Sequence, residues 1–210
     1  MRVPVIDHRN QLLALAIGYG AFCVLYLGSA ALQLSKARLL APTALDSAIP
    51  FVGWTVWIYL SQLALLPLSI ILARDDAERS HSFYAMLMAT LLAAAIFVGW
   101  PTELARQAWG TGGLTGLAWR LLYLCDTPAN CFPSLHVTLA CIAGGGLWRA
   151  GFRRAAVLWP GTIALATLTT KQHIAWDVIG GLALALTAWH LTSKLLQYER
   201  AQSVRHAGSA

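Results

Sequence analysis

Three stretches of this chain run for 23 or more residues without one charged side chain. They cover 10–35, 47–73 and 80–102, with 26, 27 and 23 residues. A transmembrane helix needs about 20 predominantly apolar residues, and a charge at membrane depth is expensive. Each stretch can therefore cross a bilayer. Three further gaps, at 127–148, 155–170 and 178–193, hold 22, 16 and 16 uncharged residues. The two short ones can span if Arg153, Arg154 and Lys194 carry their heads to the interface. Six transmembrane helices are expected, at roughly 11–35, 49–73, 81–100, 132–149, 153–170 and 174–197, in one all-α domain over 1–210. The first gap ends in a cleavage-like Gly28-Ser29-Ala30, but a signal h-region is only about 7–15 residues long. It reads as an uncleaved first span.

Composition agrees. The chain is 58% hydrophobic and 11% charged, against roughly a quarter charged in an ordinary soluble domain. That excludes a soluble enzyme, a disordered chain and a secreted disulfide scaffold. The net charge of +6 comes without a run of Lys or Arg, so it reports orientation and implies no nucleic-acid partner. With six spans, ten basic residues fall on the side of the termini and five on the other: Lys36, Arg38, Arg106, Arg120 and Lys171. The positive-inside rule then places both termini in the cytoplasm of a multi-pass protein, in a membrane such as the bacterial inner membrane. The connections 36–48, 101–131 and 171–173 would face outward. Within 101–131, a glycine-rich turn (Gly110, Gly112, Gly113) precedes LAWRLLYL, expected as a short interfacial helix with Trp119 and Tyr123 at headgroup depth. Cys125 and Cys131 flank a short polar loop, and pairing between them is open. His81 is expected at the interface. Gly144–Gly146, Gly180 and Gly181 are expected to let helices pack closely.

Polar residues at membrane depth mark function by default, and they concentrate at the outer ends of two spans. The fourth span opens with NCFPSLHV, putting Pro133, Ser134 and His136 in its first turns, where free backbone amides can hold an anion. The sixth opens with TKQHIAWDVIGG, putting Lys171, His173 and Asp177 together. His173 and Asp177 are four residues apart and share a helix face. A carboxylate on one ring nitrogen fixes the imidazole tautomer and raises the basicity of the other nitrogen. Such an imidazole can attack phosphorus or take a proton. His136, on another helix, can protonate a leaving oxygen, while Lys171 and Ser134 hold phosphate oxygens. A phosphate site of this kind needs no metal and no cofactor. A rival reading, a small proton-coupled transporter, would use the same three residues as a relay; no chain of polar residues continues from them to the other side.

The segments CFPSLHV and TKQHIAWDVIGG resemble the type 2 phosphatidic acid phosphatase superfamily, and most closely its branch related to inositol phosphorylceramide synthases. The matching pattern is Pro-Ser-x-His at Pro133–His136, then His173 followed four residues later by Asp177. DTPANCFPSLH also supplies the branch's Asp-x-Pro-x-Asn lead through Asp126, Pro128 and Asn130. The resemblance implies a six-helix lipid phosphatase or phosphotransferase with its site on the non-cytoplasmic side. It implies His173 as a nucleophile that becomes phosphohistidine, Asp177 as its partner and His136 as general acid. Arg106 joins Ser134 and Lys171 as phosphate-binding candidates, with Asp126, Asn130 and Gln172 in support. The substrate implied is a phosphorylated membrane lipid, hydrolysed or passed to a lipid alcohol as in a phosphosphingolipid-type synthase. Two departures stand out. The first motif keeps only Arg106, without its Lys and Pro, and Thr167 stands where the third motif has Arg. Lys171 can replace that charge, but not the bidentate grip of a guanidinium.

Overall fold

The computed structural model of the chain describes residues 3–106, 112–126 and 128–207, without the side chains of Cys125 and of residues 199–207. Helices dominate, and the longer ones coincide with the charge gaps. They are α1 (Gln11–Ala31), α2 (Ala44–Ala48), α3 (Val56–Leu60), α4 (Gln62–Ile71), α5 (Asp76–Gly99), α6 (Gly113–Cys125), α7 (Leu135–Arg149), α8 (Arg153–Thr169) and α9 (Ala175–Ala207). Local chemistry sets several starts. Asp75 caps α5 by accepting the amide of Glu78 at 2.8 Å, a role that suits a short acceptor side chain. Ser134 caps α7 in the same way through Val137, so Pro133 and Ser134 precede that helix and do not lie in its first turn. Thr43 and Asp46 close a capping box around α2.

Four segments are long and apolar enough to cross a membrane among the described residues: α1, Gly53–Ile71, α5 and Ala175–Tyr198. The expectation was six, and the difference lies in α7 and α8. These have 15 and 17 residues, roughly 22 and 26 Å at 1.5 Å per residue, against a hydrocarbon core of about 30 Å. The uncharged gap ahead of α7 is spent partly on the loop that ends at its cap. The expected second span is also interrupted. It enters through a 3-10 turn at Gly53–Thr55, and Ser61 separates α3 from α4.

The main core lies where α5, α7 and α9 meet, built from Ala85, Ala89, Ala93, Leu139, Ile142 and Ala188. Small side chains let these helices approach, the usual solution where lipid removes the hydrophobic drive between helices. The glycines act as expected. A Cβ at Gly144 would lie 2.6 Å from the carbonyl oxygen of Ala156 on α8, and one at Gly181 would lie 2.6 Å from that of Ser134. Backbone cannot swing aside as a side-chain tip can. Gly181→Ala is expected to cost about 1–3 kcal/mol through overpacking, read as a lower midpoint of thermal unfolding in detergent. An unchanged midpoint would mean that α7 and α9 part freely at this level.

Three connections gather at one end of the bundle. Strands β1 (Arg38–Leu39) and β2 (Thr102–Glu103) pair in parallel, and Glu103 bridges Ala129. The Thr102 hydroxyl accepts the amide of Phe132 at 2.8 Å. The Asp46 carboxylate accepts the amide of Ala175 at 2.7 Å. Helix α6 begins at Gly113 behind its cap Gly112, four residues ahead of the expected LAWRLLYL segment, while Gly110 lies outside the described residues. It is not a surface helix on its Trp119 side: that indole is 1% exposed and donates to the Gly53 carbonyl at 2.9 Å. That face packs inward on α3, against Val56 and Tyr59. His81 likewise lies inside, 6% exposed, with Nε2 2.8 Å from the Ser193 hydroxyl and its ring edge-on to Trp189.

Candidate active site

The turn between α8 and α9 presents His173. Backbone amides of Gln172 and His173 both donate to the Thr167 carbonyl, at 3.1 and 3.2 Å, which folds the segment tightly over the end of α8. Lys171 holds a positive φ of 55° there. His173 Nδ1 stands 3.3 Å from Asp177 Oδ2, and the same oxygen accepts the Ile174 amide at 2.9 Å. Asp177 is fully buried, and its second oxygen has no hydrogen-bond partner among the described residues. With its proton on Nδ1, His173 donates to this carboxylate and keeps the Nε2 lone pair for chemistry.

The start of α7 brings His136 alongside, with ring centroids 6.3 Å apart. Two contacts fasten α7 to α9 at this level: the Ser134 amide donates to the Asp177 carbonyl at 3.0 Å, and the Thr138 hydroxyl to the Gly181 carbonyl at 3.0 Å. His136 Nδ1 meets the Tyr59 hydroxyl at 3.0 Å.

The sequence-derived site residues separate into three groups. His136, His173, Arg106, Lys171, Gln172, Asp126 and Asn130 all line one polar pocket. Within it, Lys171 donates its ammonium to the carbonyls of Asp46, at 2.6 Å, and Ile49. The Arg106 guanidinium donates to the carbonyls of Tyr123 and Asp126 and stacks on the Tyr123 ring, 4.3 Å from its centroid. Both cations thus lie at the pocket with part of their donor capacity held by backbone. Ser134 is apart: fully buried, with its hydroxyl engaged in the cap. Asp126 and Asn130 are braces. The Tyr26 hydroxyl donates to the Asp126 carboxylate, and the Asn130 amide donates to the Tyr26 carbonyl at 3.0 Å. Together they tie the loop before α7 to α1. Gln172 reaches the Tyr123 hydroxyl at 3.5 Å. Cys131 is buried, its thiol donating to the Pro128 carbonyl at 3.3 Å. The Cys125 side chain lies outside the described residues, and with it any pairing of the two.

Sequence reasoning missed Asp46, Tyr59, Tyr26 and Thr102. Each contacts the site across 28 or more positions, at distances no local pattern encodes. Asp46 is the most connected. Burial opposes its ionisation, but the hydroxyl and amide of Thr43, the amide of Ala175 and nearby Lys171 together hold its carboxyl below the ordinary carboxylate range. It stays charged, and pins α2 against the His173 turn.

Beside the polar pocket lies an apolar cavity of about 300 Å³ between α1, α4 and α5. Tyr26, Asp126 and His136 belong to the walls of both. From Tyr59 its lining continues along α4 through Leu63 and Leu66 to Ile70, roughly 16 Å at 1.5 Å per residue. Two histidines, one backed by a buried carboxylate, thus face a pocket with cations at its rim and hydrocarbon below. That chemistry suits transfer of a phosphoryl group.

A search of curated proteins found no match to the chain. A family model described as the PAP2 superfamily matches residues 29–191, a region that begins within α1 and holds both histidines, Asp177 and the pocket around them. With well over half of its length matched, the chain belongs to the PAP2 superfamily, whose members are phosphatases or phosphotransferases.

Proposed function

We propose that this protein is an integral membrane lipid phosphate phosphatase or phosphotransferase that works through phosphohistidine. The observation that carries the reading is the wall that the polar pocket and the apolar cavity share at His136, Tyr26 and Asp126. A phosphate ester whose other end is an acyl chain fills both at once. His173 Nε2 attacks phosphorus while His136 gives a proton to the leaving oxygen. Water then attacks the phosphohistidine in a phosphatase, or a lipid alcohol does so in a synthase of the phosphosphingolipid type. His136 takes the proton back in that second step. Arg106 and Lys171 lend positive charge to the phosphate oxygens. The basic-residue count supports an outward-facing site with cytoplasmic termini, and α7 and α8 then complete six spans by drawing the bilayer thinner around them.

Gly18 tests the cavity. It lines the wall opposite α4, and a Cβ there would lie 3.0 Å from the Phe83 ring. Gly18→Leu shortens the space for a chain. At about 0.8 kcal/mol per buried methylene, excluding two methylenes raises KM about tenfold for long-chain lipid phosphates. Short-chain lipid phosphates should be unaffected. The assay is phosphate release in detergent across a chain-length series, and an equal effect on all lengths would remove the acyl chain from this cavity. Adding ceramide or another lipid alcohol together with a phospholipid donor distinguishes transfer from hydrolysis by its lipid product.

A further inference from the structure

His173 and His136 present the same ring to the pocket, yet their Nδ1 atoms face different partners. Behind His173 stands a carboxylate. Behind His136 stands a phenol: the Tyr59 hydroxyl is 3.0 Å from Nδ1, and the two rings stack with centroids 4.0 Å apart and planes 28° from parallel. Tyr59 is 1% exposed and is wedged among Val56, Ala118, Trp119 and Leu122. An imidazole stacked on so fixed a ring cannot turn about its side-chain axis without displacing it. Tyr26, Arg106, Asp126, Lys171 and His173 also face His136 across the pocket, but only the Tyr59 hydroxyl is hydrogen-bonded to its ring among the described residues.

A hydroxyl both donates and accepts. It therefore satisfies Nδ1 whether or not that atom carries a proton, and it adds no charge of its own. From this geometry we infer that Tyr59 is the positioning residue of the acid–base histidine. It holds Nδ1 so that all proton exchange with substrate takes place at His136 Nε2.

The inference rests on the acid–base reading of His136, and the proton count closes. Doubly protonated His136 donates Nδ1–H to the Tyr59 oxygen and directs Nε2–H at the ester oxygen. As the bond between His173 Nε2 and phosphorus forms and the phosphorus–oxygen bond breaks, the Nε2 proton moves to the departing oxygen, which leaves as an alcohol. His136 is now neutral, with Nδ1–H still on Tyr59 and a lone pair on Nε2. Water or an acceptor alcohol then attacks phosphorus, its proton passes to that lone pair, and the phosphorus–nitrogen bond breaks. No tautomer change is required at any stage. Without the Tyr59 hydroxyl, Nδ1 has no partner in either protonation state and the ring is held by stacking alone, so the acid is correctly set for only part of the time.

Tyr59→Phe removes one oxygen and keeps the ring. The readout is the dependence on leaving group, because an acidic phenol departs without help whereas an alkoxide requires the proton. On an alkyl lipid phosphate kcat/KM, which reads the step in which the leaving group departs, is expected to fall about tenfold to a hundredfold. On an aryl phosphate with an acidic phenol the loss in kcat/KM should stay below about threefold, which also reports that the variant is folded. In an His136→Ala background, Tyr59→Phe should cost almost nothing further, since its effect passes through the missing ring. Equal losses in kcat/KM on both esters, an unchanged kcat/KM on the alkyl ester, or fully additive losses in the double variant would overturn the assignment. An His136→Ala variant that favours neither ester would remove the acid role of His136 itself, and this inference with it.

Discussion

Replacing His173 with alanine is expected to lower turnover by at least about a thousandfold, the scale of losing a nucleophile from a preorganised site. It should also abolish the covalent intermediate. Incubation with a labelled lipid phosphate followed by a non-acidic quench should leave label on the wild-type protein and none on His173→Ala. His173 lines the pocket and has its Nδ1 on a buried carboxylate 3.3 Å away, so with the proton on Nδ1 the basic nitrogen is Nε2. His136 is no substitute, because its Nδ1 is engaged by Tyr59 and its ring centre lies 6.3 Å from that of His173. Label persisting on His173→Ala would move the nucleophile elsewhere.

Asp177→Asn should follow closely, with kcat lower by about 10²–10⁴, as when a carboxylate that sets a catalytic tautomer becomes an amide. One Asp177 oxygen accepts the Ile174 amide at 2.9 Å and pairs with His173 Nδ1. An amide nitrogen turned to that position donates toward Nδ1 and shifts the imidazole proton to Nε2, which blocks attack. An amide oxygen there keeps the tautomer but withdraws the charge that stabilises the protonated ring. The backbone contact between Ser134 and Asp177, at 3.0 Å, needs no side chain. The fold should therefore survive, and the thermal midpoint separates lost chemistry from lost structure. A loss below about tenfold would reduce the pair to a structural hydrogen bond.

What was legible in the sequence follows from which signals are local. Charge gaps located the helices, because a helix in lipid cannot carry an unpaired charge through its middle. The His173–Asp177 spacing revealed the pair but not its geometry: His173 lies in the turn ahead of α9 and meets Asp177 across the start of the helix, not along one of its faces. The span count was less legible. Uncharged loop residues look like uncharged helix residues, so the run ahead of α7 read as membrane when much of it forms the approach to Ser134. Lys171 and Ser134 show a second limit. Both residue types bind phosphate, yet here the ammonium holds carbonyls of Asp46 and Ile49, and the hydroxyl caps a helix. Backbone demand competes with ligand demand, and composition cannot say which wins. Tyr59 carried no signal at all, since a tyrosine in an apolar run is ordinary and its partner lies 77 positions away.

The hydrogen bond from the Ala175 amide to Asp46 has a consequence for biosynthesis. A ribosome delivers the Asp46 acceptor early and its donor only after α8 has been made. Until then, α2 has nothing to dock against, the turn that carries His173 does not exist, and His136 faces an unfinished pocket. The turn before α9 and the first residues of that helix supply His173, its carboxylate and the amide that closes the loop together. A chain truncated before α9 would lack Asp177 and the Ala175 amide, so the proposed activity is confined to copies whose synthesis has reached α9.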